Sequence, residues 1–408
     1  MAATGVLVVV VALVFAVTVA GGGGAGVGGD GGFITWEDLS MPAGAARSST
    51  WDDTAGGGGG KRSGGGGGGE QRTTIVVSPD GTGHSRTVQG AVDMVPAGNT
   101  RRVKIVVRPG VYSCNGADLA GDGVPCREKV TVPITKPFVS LIGMGTGHTV
   151  ITWHSRASDV GASGHQVGTF YSASVAVEAD YFCASHITFE VYTHRTSSSS
   201  SSPAGSPAAA KRNSAAAAAP GAVGQQAVAL RLSGDKTVLY KCRILGTQDT
   251  LFDNIGRHYL YNCDIQGSID FIFGNARSLY QGCTLHAVAT SYGAIAASQR
   301  SSPSEESGFS FVGCRLTGSG MLYLGRAWGK YSRVVYSYCD LSGIIVPQGW
   351  SDWGDQSRTK TVLFGEYNCK GPGASTKQRV PWSRTLTYDE ARPFIGRSFI
   401  NGEQWLRL

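Results

Sequence analysis

The sequence predicts an all-β protein, a right-handed parallel β-helix, and three observations carry that reading. Of its 408 residues 41% are hydrophobic and 16% charged, so there is apolar material for a large core and no compositional sign of general disorder. Helical periodicity is almost absent; β-rich runs such as Thr74-Ile75-Val76-Val77, Val103-Lys104-Ile105-Val106-Val107 and Thr149-Val150-Ile151-Thr152-Trp153 stand in its place. Further along, five segments align on Cys242, Cys263, Cys283, Cys314 and Cys339, at intervals of 21, 20, 31 and 25 residues.

Two residues after each of these cysteines comes Ile244, Ile265, Leu285, Leu316 or Leu341. Four after comes Gly246, Gly267, Ala287, Gly318 or Gly343, and four before comes Val238, Tyr259, Leu279, Ser310 or Val335. At period two this is a strand with one largely apolar face, usually closed by a glycine turn. So short a unit cannot bury that face alone, and the units must stack as coils of a solenoid. The crossover rule for parallel strands gives the right hand. A Cys recurring at an interior position is expected to be a small buried hydrophobe in a stacked ladder. There is no Cys-x-x-Cys pair and the eight histidines are scattered, so neither a metal nor a cofactor is expected.

Around this repeat the chain divides into a signal peptide (1–20), a glycine-rich disordered linker (21–73) and a β-helix domain (74–408) with inserts at 113–126 and 196–224. Val6 to Ala20 is an uncharged apolar stretch of 15 residues, short of the roughly 18 to 20 that a membrane span needs. A cleaved secretory signal is therefore expected, without stable membrane association. In the linker 21 of 53 residues are glycine, so the folded part is expected to begin near Thr74. Cys114 and Cys126 mark the two ends of the first insert and are a candidate disulfide. Nine cysteines are an odd count, so at least one has no partner within the chain. The formal charge of +7 favours polyanionic partners. Basic residues are dispersed, not clustered with aromatics, which argues against nucleic acid and for acidic polysaccharide.

Two carboxylates recur at one place in consecutive units: Asp249 and Asp270 each follow their cysteine, Cys242 and Cys263, by seven residues. In register on neighbouring coils about 4.8 Å apart, they would perturb each other's ionisation. Gln226 and Gln248, 22 residues apart, would stack in the same way and flank the acids with amide donors. Asp270 lies within the apolar segment Gly267 to Ala276, where an unpaired charge is costly, and Arg326 is the natural counter-ion. The ordinary alternative is a pair of turn aspartates at coil corners, held by local hydrogen bonds.

Four blocks, Gln226-Ala227-Val228-Ala229-Leu230, Gln248-Asp249-Thr250-Leu251, the Gly267 to Ala276 segment and Leu324-Gly325-Arg326-Ala327-Trp328, resemble in sequence, order and spacing the signature blocks of plant pectinesterases, the pectin methylesterases. The ending Gly396 to Leu406 is similar as well, and the likeness runs from about Thr74 to Leu408. It implies an esterase without serine. Asp270 would be the nucleophile, Asp249 the acid that protonates methanol and then activates water, and Gln226 and Gln248 the oxyanion donors. Arg326 would hold Asp270 ionised, while Trp328 and Phe273 would bind the sugar chain. The implied substrate is methyl-esterified homogalacturonan (pectin) in the cell wall, with proteinaceous pectinesterase inhibitors as further partners and a monomer as the working state.

No Gly-x-Ser-x-Gly elbow is present, so the usual serine esterase is not an available rival. A polygalacturonase would need a further Asp cluster and a Gly-His-Gly element, and a pectate lyase a calcium-binding carboxylate cluster; neither is found. A catalytically weak wall-binding protein on the same fold is the alternative of a different class. Departures from the family pattern fall in loops. Gly110-Val111-Tyr112 is separated from Glu128 by the first insert, Val191 replaces the usual Asn, and the second insert ends just before Gln226. No segment before Thr74 is expected to form the family's inhibitor-like pro-domain.

Overall fold

A computed structural model describes residues 32–42, 73–113, 128–161, 163–191 and 225–408. The expected signal peptide, most of the glycine linker and both inserts apart from Ser113 lie outside the described residues, as do Cys114 and Cys126 with their candidate disulfide.

Each coil carries three short strands, which we call back, flank and floor. One coil runs Thr237–Tyr240, Arg243–Leu245, Leu251–Asp253, and the next Arg257–Tyr261, Asp264–Gly267, Ile272–Gly274. The two pair in parallel at every face, with Val238 opposite Tyr259, Ile244 opposite Ile265 and Leu251 opposite Ile272. Back strands form an 11-stranded sheet from Thr74–Val77 to Arg384–Thr385, and flank and floor strands together a 13-stranded one. These two join because Thr284–Ser298 runs through flank and floor as one strand, paired with both Asp264–Gly267 and Ile272–Gly274. This is the parallel β-helix expected from the repeat.

Inside, the coils stack like on like. Leu239, Cys242, Ile244 and Leu251 are followed one coil on by Leu260, Cys263, Ile265 and Ile272, all in one buried cluster. Tyr280, Phe311 and Tyr336 continue the column as stacked rings 4.7 and 4.5 Å apart. Fully burying such a side chain contributes roughly 1.5–3 kcal/mol. The cysteine ladder has a sixth rung, Cys369, beyond the five-unit alignment, and all six are free thiols. From the second rung on, each Sγ donates to a carbonyl of the preceding coil: Cys263 to Leu239 (3.5 Å), Cys283 to Leu260 (3.4 Å), Cys314 to Tyr280 (3.4 Å), Cys339 to Phe311 (3.4 Å) and Cys369 to Tyr336 (3.6 Å).

One detail of the repeat differs from expectation. Val238, Tyr259 and Leu279, four residues before their cysteines, face away from the interior and join a separate outer cluster. Their parity changes because the residue before each Cys is left-handed: Lys241, Asn262, Gly282, Gly313, Tyr338 and Asn368 have φ from 47° to 64°. Alternation holds only within a strand, and this corner residue resets it.

That outer cluster also corrects the expected start of the fold. Ile34 and Leu39, at 0% and 2% exposure, pack on the outside of the back face with Phe399, Ile400, Trp405 and Leu406. Ile34–Thr35 pairs in parallel with Leu406–Arg407, Asp38 meets Arg102 at 3.3 Å, and Trp36 lies edge-on to Tyr240 at 5.0 Å. Phe33-Ile34-Thr35-Trp36-Glu37-Asp38-Leu39 is a glycine-free island, hidden when composition is averaged over the whole linker.

At the first coils, the helix Val88–Asp93 is capped by the Thr87 hydroxyl, which accepts from the Gly90 N–H (3.1 Å). The Glu128 carboxylate also accepts from the Val88 N–H (3.0 Å). Glu128 therefore has a defined structural place although an insert separates it from Tyr112.

Candidate active site

The flank-to-floor corner changes character along the solenoid. In early coils the chain takes long excursions between Gly110–Tyr112 and Val130–Val132, between Thr149–Trp153 and Val175–Val177, and between Thr188–Val191 and Leu230–Leu232. In the next two coils it closes within a few residues, between Arg243–Leu245 and Leu251–Asp253 and between Asp264–Gly267 and Ile272–Gly274. Asp249 and Asp270 sit in those tight turns with φ of 61° and 45°, a left-handed conformation that Asp tolerates better than most residues. The turn at Gly267 admits no side chain, since a Cβ there would stand 2.0 Å from that of Phe271.

Stacking sets the register of the two acids. Gln248 bridges Ile269, and the Asp249 N–H donates to the Ile269 carbonyl at 3.1 Å, so Asp249 lies one coil from Asp270, a step of about 4.8 Å. The Ala227 N–H donates to the Gln248 carbonyl at 3.2 Å, which brings Gln226 beside Gln248. Among the described residues, the buried Oε1 of Gln248 meets no donor.

Arg326 reaches Asp270 from two coils away with both arms of its guanidinium, Nε to Oδ1 at 2.8 Å and Nη2 to Oδ2. Such forked pairs fix orientation as well as charge. Burial pushes both carboxyls up. For Asp249, held well above the usual carboxylate range, the charge of Asp270 adds to the rise and Arg326 opposes it only through space. For Asp270, burial is opposed by the hydrogen bonds and charge of Arg326. Both shifts are upward, but Arg326 restrains that of Asp270, so of the two Asp249 is the one that keeps its proton and Asp270 the one that ionises more readily.

The floor beside the acids is aromatic. Phe273 stacks on Phe252 at 4.4 Å between centroids, and Trp328 leans on Phe273 at 6.2 Å. Phe273 is only 5% exposed, so the half-buried Trp328 offers more surface. Three flanking features escaped the sequence reading. Phe252 was findable, because it follows Asp249 by three residues as Phe273 follows Asp270. Phe170 lies edge-on to Phe252 at 6.1 Å with the Arg231 guanidinium 3.8 Å over its ring. Trp353 has its ring 3.9 Å from the Arg326 guanidinium carbon; neither it nor Phe170 belongs to the repeat.

Comparison with known proteins agrees with this architecture. The family model described as Pectinesterase matches residues 74–200 and 192–403. Pectinesterase QRT1 of Arabidopsis thaliana is 49% identical over 336 residues, covering 82% of this chain and 79% of the relative. Pectinesterase 31 of the same plant is 40% identical, covering 81% and 94%. Among solved structures, the pectin methylesterase from carrot superposes with a TM-score of 0.67 at 31% identity, covering 81% of this chain and 94% of the other. A match of this extent, on a parallel β-helix, places the chain in the pectinesterase family of carboxylic ester hydrolases.

Proposed function

We propose that the protein is a secreted esterase that removes methyl esters from homogalacturonan in the cell wall, with Asp270 as nucleophile and Asp249 as acid and base. The observation that carries the assignment of roles is the guanidinium fork of Arg326, which engages Asp270 and leaves Asp249 without it. In the first step an Asp270 oxygen adds to the ester carbonyl carbon, and the amides of Gln226 and Gln248 donate to the oxyanion. Collapse breaks the bond to the methoxy oxygen, which takes the proton of Asp249 and leaves as methanol. Asp249, now anionic, draws a proton from water as its oxygen adds to the acyl-enzyme carbonyl. Breakdown expels the Asp270 carboxylate and leaves the galacturonic acid, which gives up its proton to solvent as the galacturonate departs, with Asp270 ionised and Asp249 protonated again. Trp328, with the edge of Phe273, supplies the surface against which the sugar chain lies. Secretion is supported by the apolar stretch Val6 to Ala20; among the described residues no helix is long and apolar enough to cross a membrane.

The test is methanol release from methylated pectin. Asp270→Asn keeps the shape and removes the anionic nucleophile, so turnover should fall by at least about 10³-fold with the fold intact. Near-native methanol release by that folded variant would overturn the assignment.

A further inference from the structure

We propose that Trp353 is a positioning residue that caps the Arg326 guanidinium and fixes it on Asp270. The inference rests on the esterase reading above and adds to it a residue that acts through the counter-ion of the nucleophile. Three observations meet at this residue. The Arg326 guanidinium carbon lies 3.9 Å over the Trp353 ring, within the range of a strong cation–π contact. Trp353 has φ of 61°; a bulky side chain in the left-handed region is an outlier, held there by its surroundings, and such strain gathers at functional sites. Finally, its loop is fastened to the strand end that carries Arg326. Ser351 pairs with Arg326, the Trp353 N–H donates to Ser351 Oγ at 3.2 Å, and Arg358 donates to the carbonyls of Ala327 and Trp328 while also holding Asp355.

The guanidinium is therefore confined between a carboxylate at its edge and an indole at its face. With one face covered, the guanidinium keeps only part of its surface, 28% of the side chain, open to water and is held from other rotamers, so more of its charge acts on Asp270 than a bare arginine's would. The other ionisable groups acting on this pair are Asp249, one coil below, and Tyr323, three residues earlier on the same strand. Asp249 is protonated in the attacking form, and replacing Trp353 alters neither group. What changes without the cap is the hold of Arg326 on the Asp270 anion.

Trp353→Gly removes the ring and suits the left-handed backbone, so the fold is not put at risk; Trp353→Phe keeps a ring face. In the free enzyme the acid limb of kcat/KM against pH reports the carboxyl that must be ionised. With methylated pectin, Trp353→Gly should move that limb upward by about 0.5 to 1 pH unit, and Trp353→Phe should restore most of the shift. A ring that only stacks on sugar would raise KM and leave the limb in place, and that result overturns the proposal. A second measurement needs no turnover: labelling with the arginine reagent phenylglyoxal, followed by peptide mass spectrometry, with exposed Arg315 as internal reference. Arg326 should label several-fold faster in Trp353→Gly than in the parent protein, and equal rates overturn the cap. If the parent protein releases no methanol the esterase reading fails on its own, and the labelling ratio alone then upholds or rejects the cap.

Discussion

Glu128 shows how one side chain can carry a pH dependence unconnected with catalysis. Its carboxylate accepts from the Val88 N–H at the start of the helix Val88–Asp93, yet it is only 3% exposed. Burial outweighs the backbone hydrogen bonds and pushes its pKa up to about 7. A carboxyl raised above its unfolded value stabilises the fold fully below the unfolded pKa, near 4.5, and loses that contribution as pH rises through about 7. Relative to Glu128→Gln, which cannot ionise, the parent protein should therefore lose up to about 3 kcal/mol between pH 4.5 and 8. Urea midpoints measured for both proteins across that interval check this; parallel curves would show that Glu128 titrates near its ordinary value. Asp249 and Asp270 are raised too, but the tight turns that hold them keep each acid beside its neighbour, so their titration should register in turnover.

At the scale of elements, the strands are held from both sides. The interior column of Leu, Ile, Cys and aromatic rings fastens coil to coil, and the outer back face is closed by a pair of segments from opposite ends of the described chain. Trp405 is the centre of that closure, fully buried with its Nε1–H donating to the Ile400 carbonyl at 3.0 Å. Trp405→Ala should cost about 3–5 kcal/mol in equilibrium unfolding. Deleting residues 33–42 should give a smaller loss in the same direction and leave methanol release measurable, since those residues lie on the back face. The repeat was legible because stacking forces like residues into register, and the two acids followed from their equal offsets after Cys242 and Cys263. What escaped had no such periodicity. The strap at Ile34 is a few apolar residues within glycine, and Trp353 meets Arg326 only through a non-repeating loop. The parity error at Val238, Tyr259 and Leu279 came from treating a corner as a continued strand.

Over the whole molecule, length variation is concentrated at one corner. Both inserts and the 154–174 excursion leave between flank and floor, the corner that carries Asp249 and Asp270 in the two coils that follow. Back and interior can therefore stay constant while the loops beside the coils of Asp249 and Asp270 differ in length and composition. The thiol ladder has a different consequence, one of time. Folded, five of the six cysteines are buried and Cys369 is partly so, which keeps them from reagents in solution. A single unfolding event exposes them together, and in an oxidising medium neighbouring thiols on one strand of chain pair before the coils can restack. Unfolding then becomes a one-way passage, and service life is set by how often the barrier is crossed, not by the equilibrium beyond it. Activity recovered after a heat pulse should accordingly be high under a reducing agent and low in air, at any protein concentration, because the trapping bonds form within one chain.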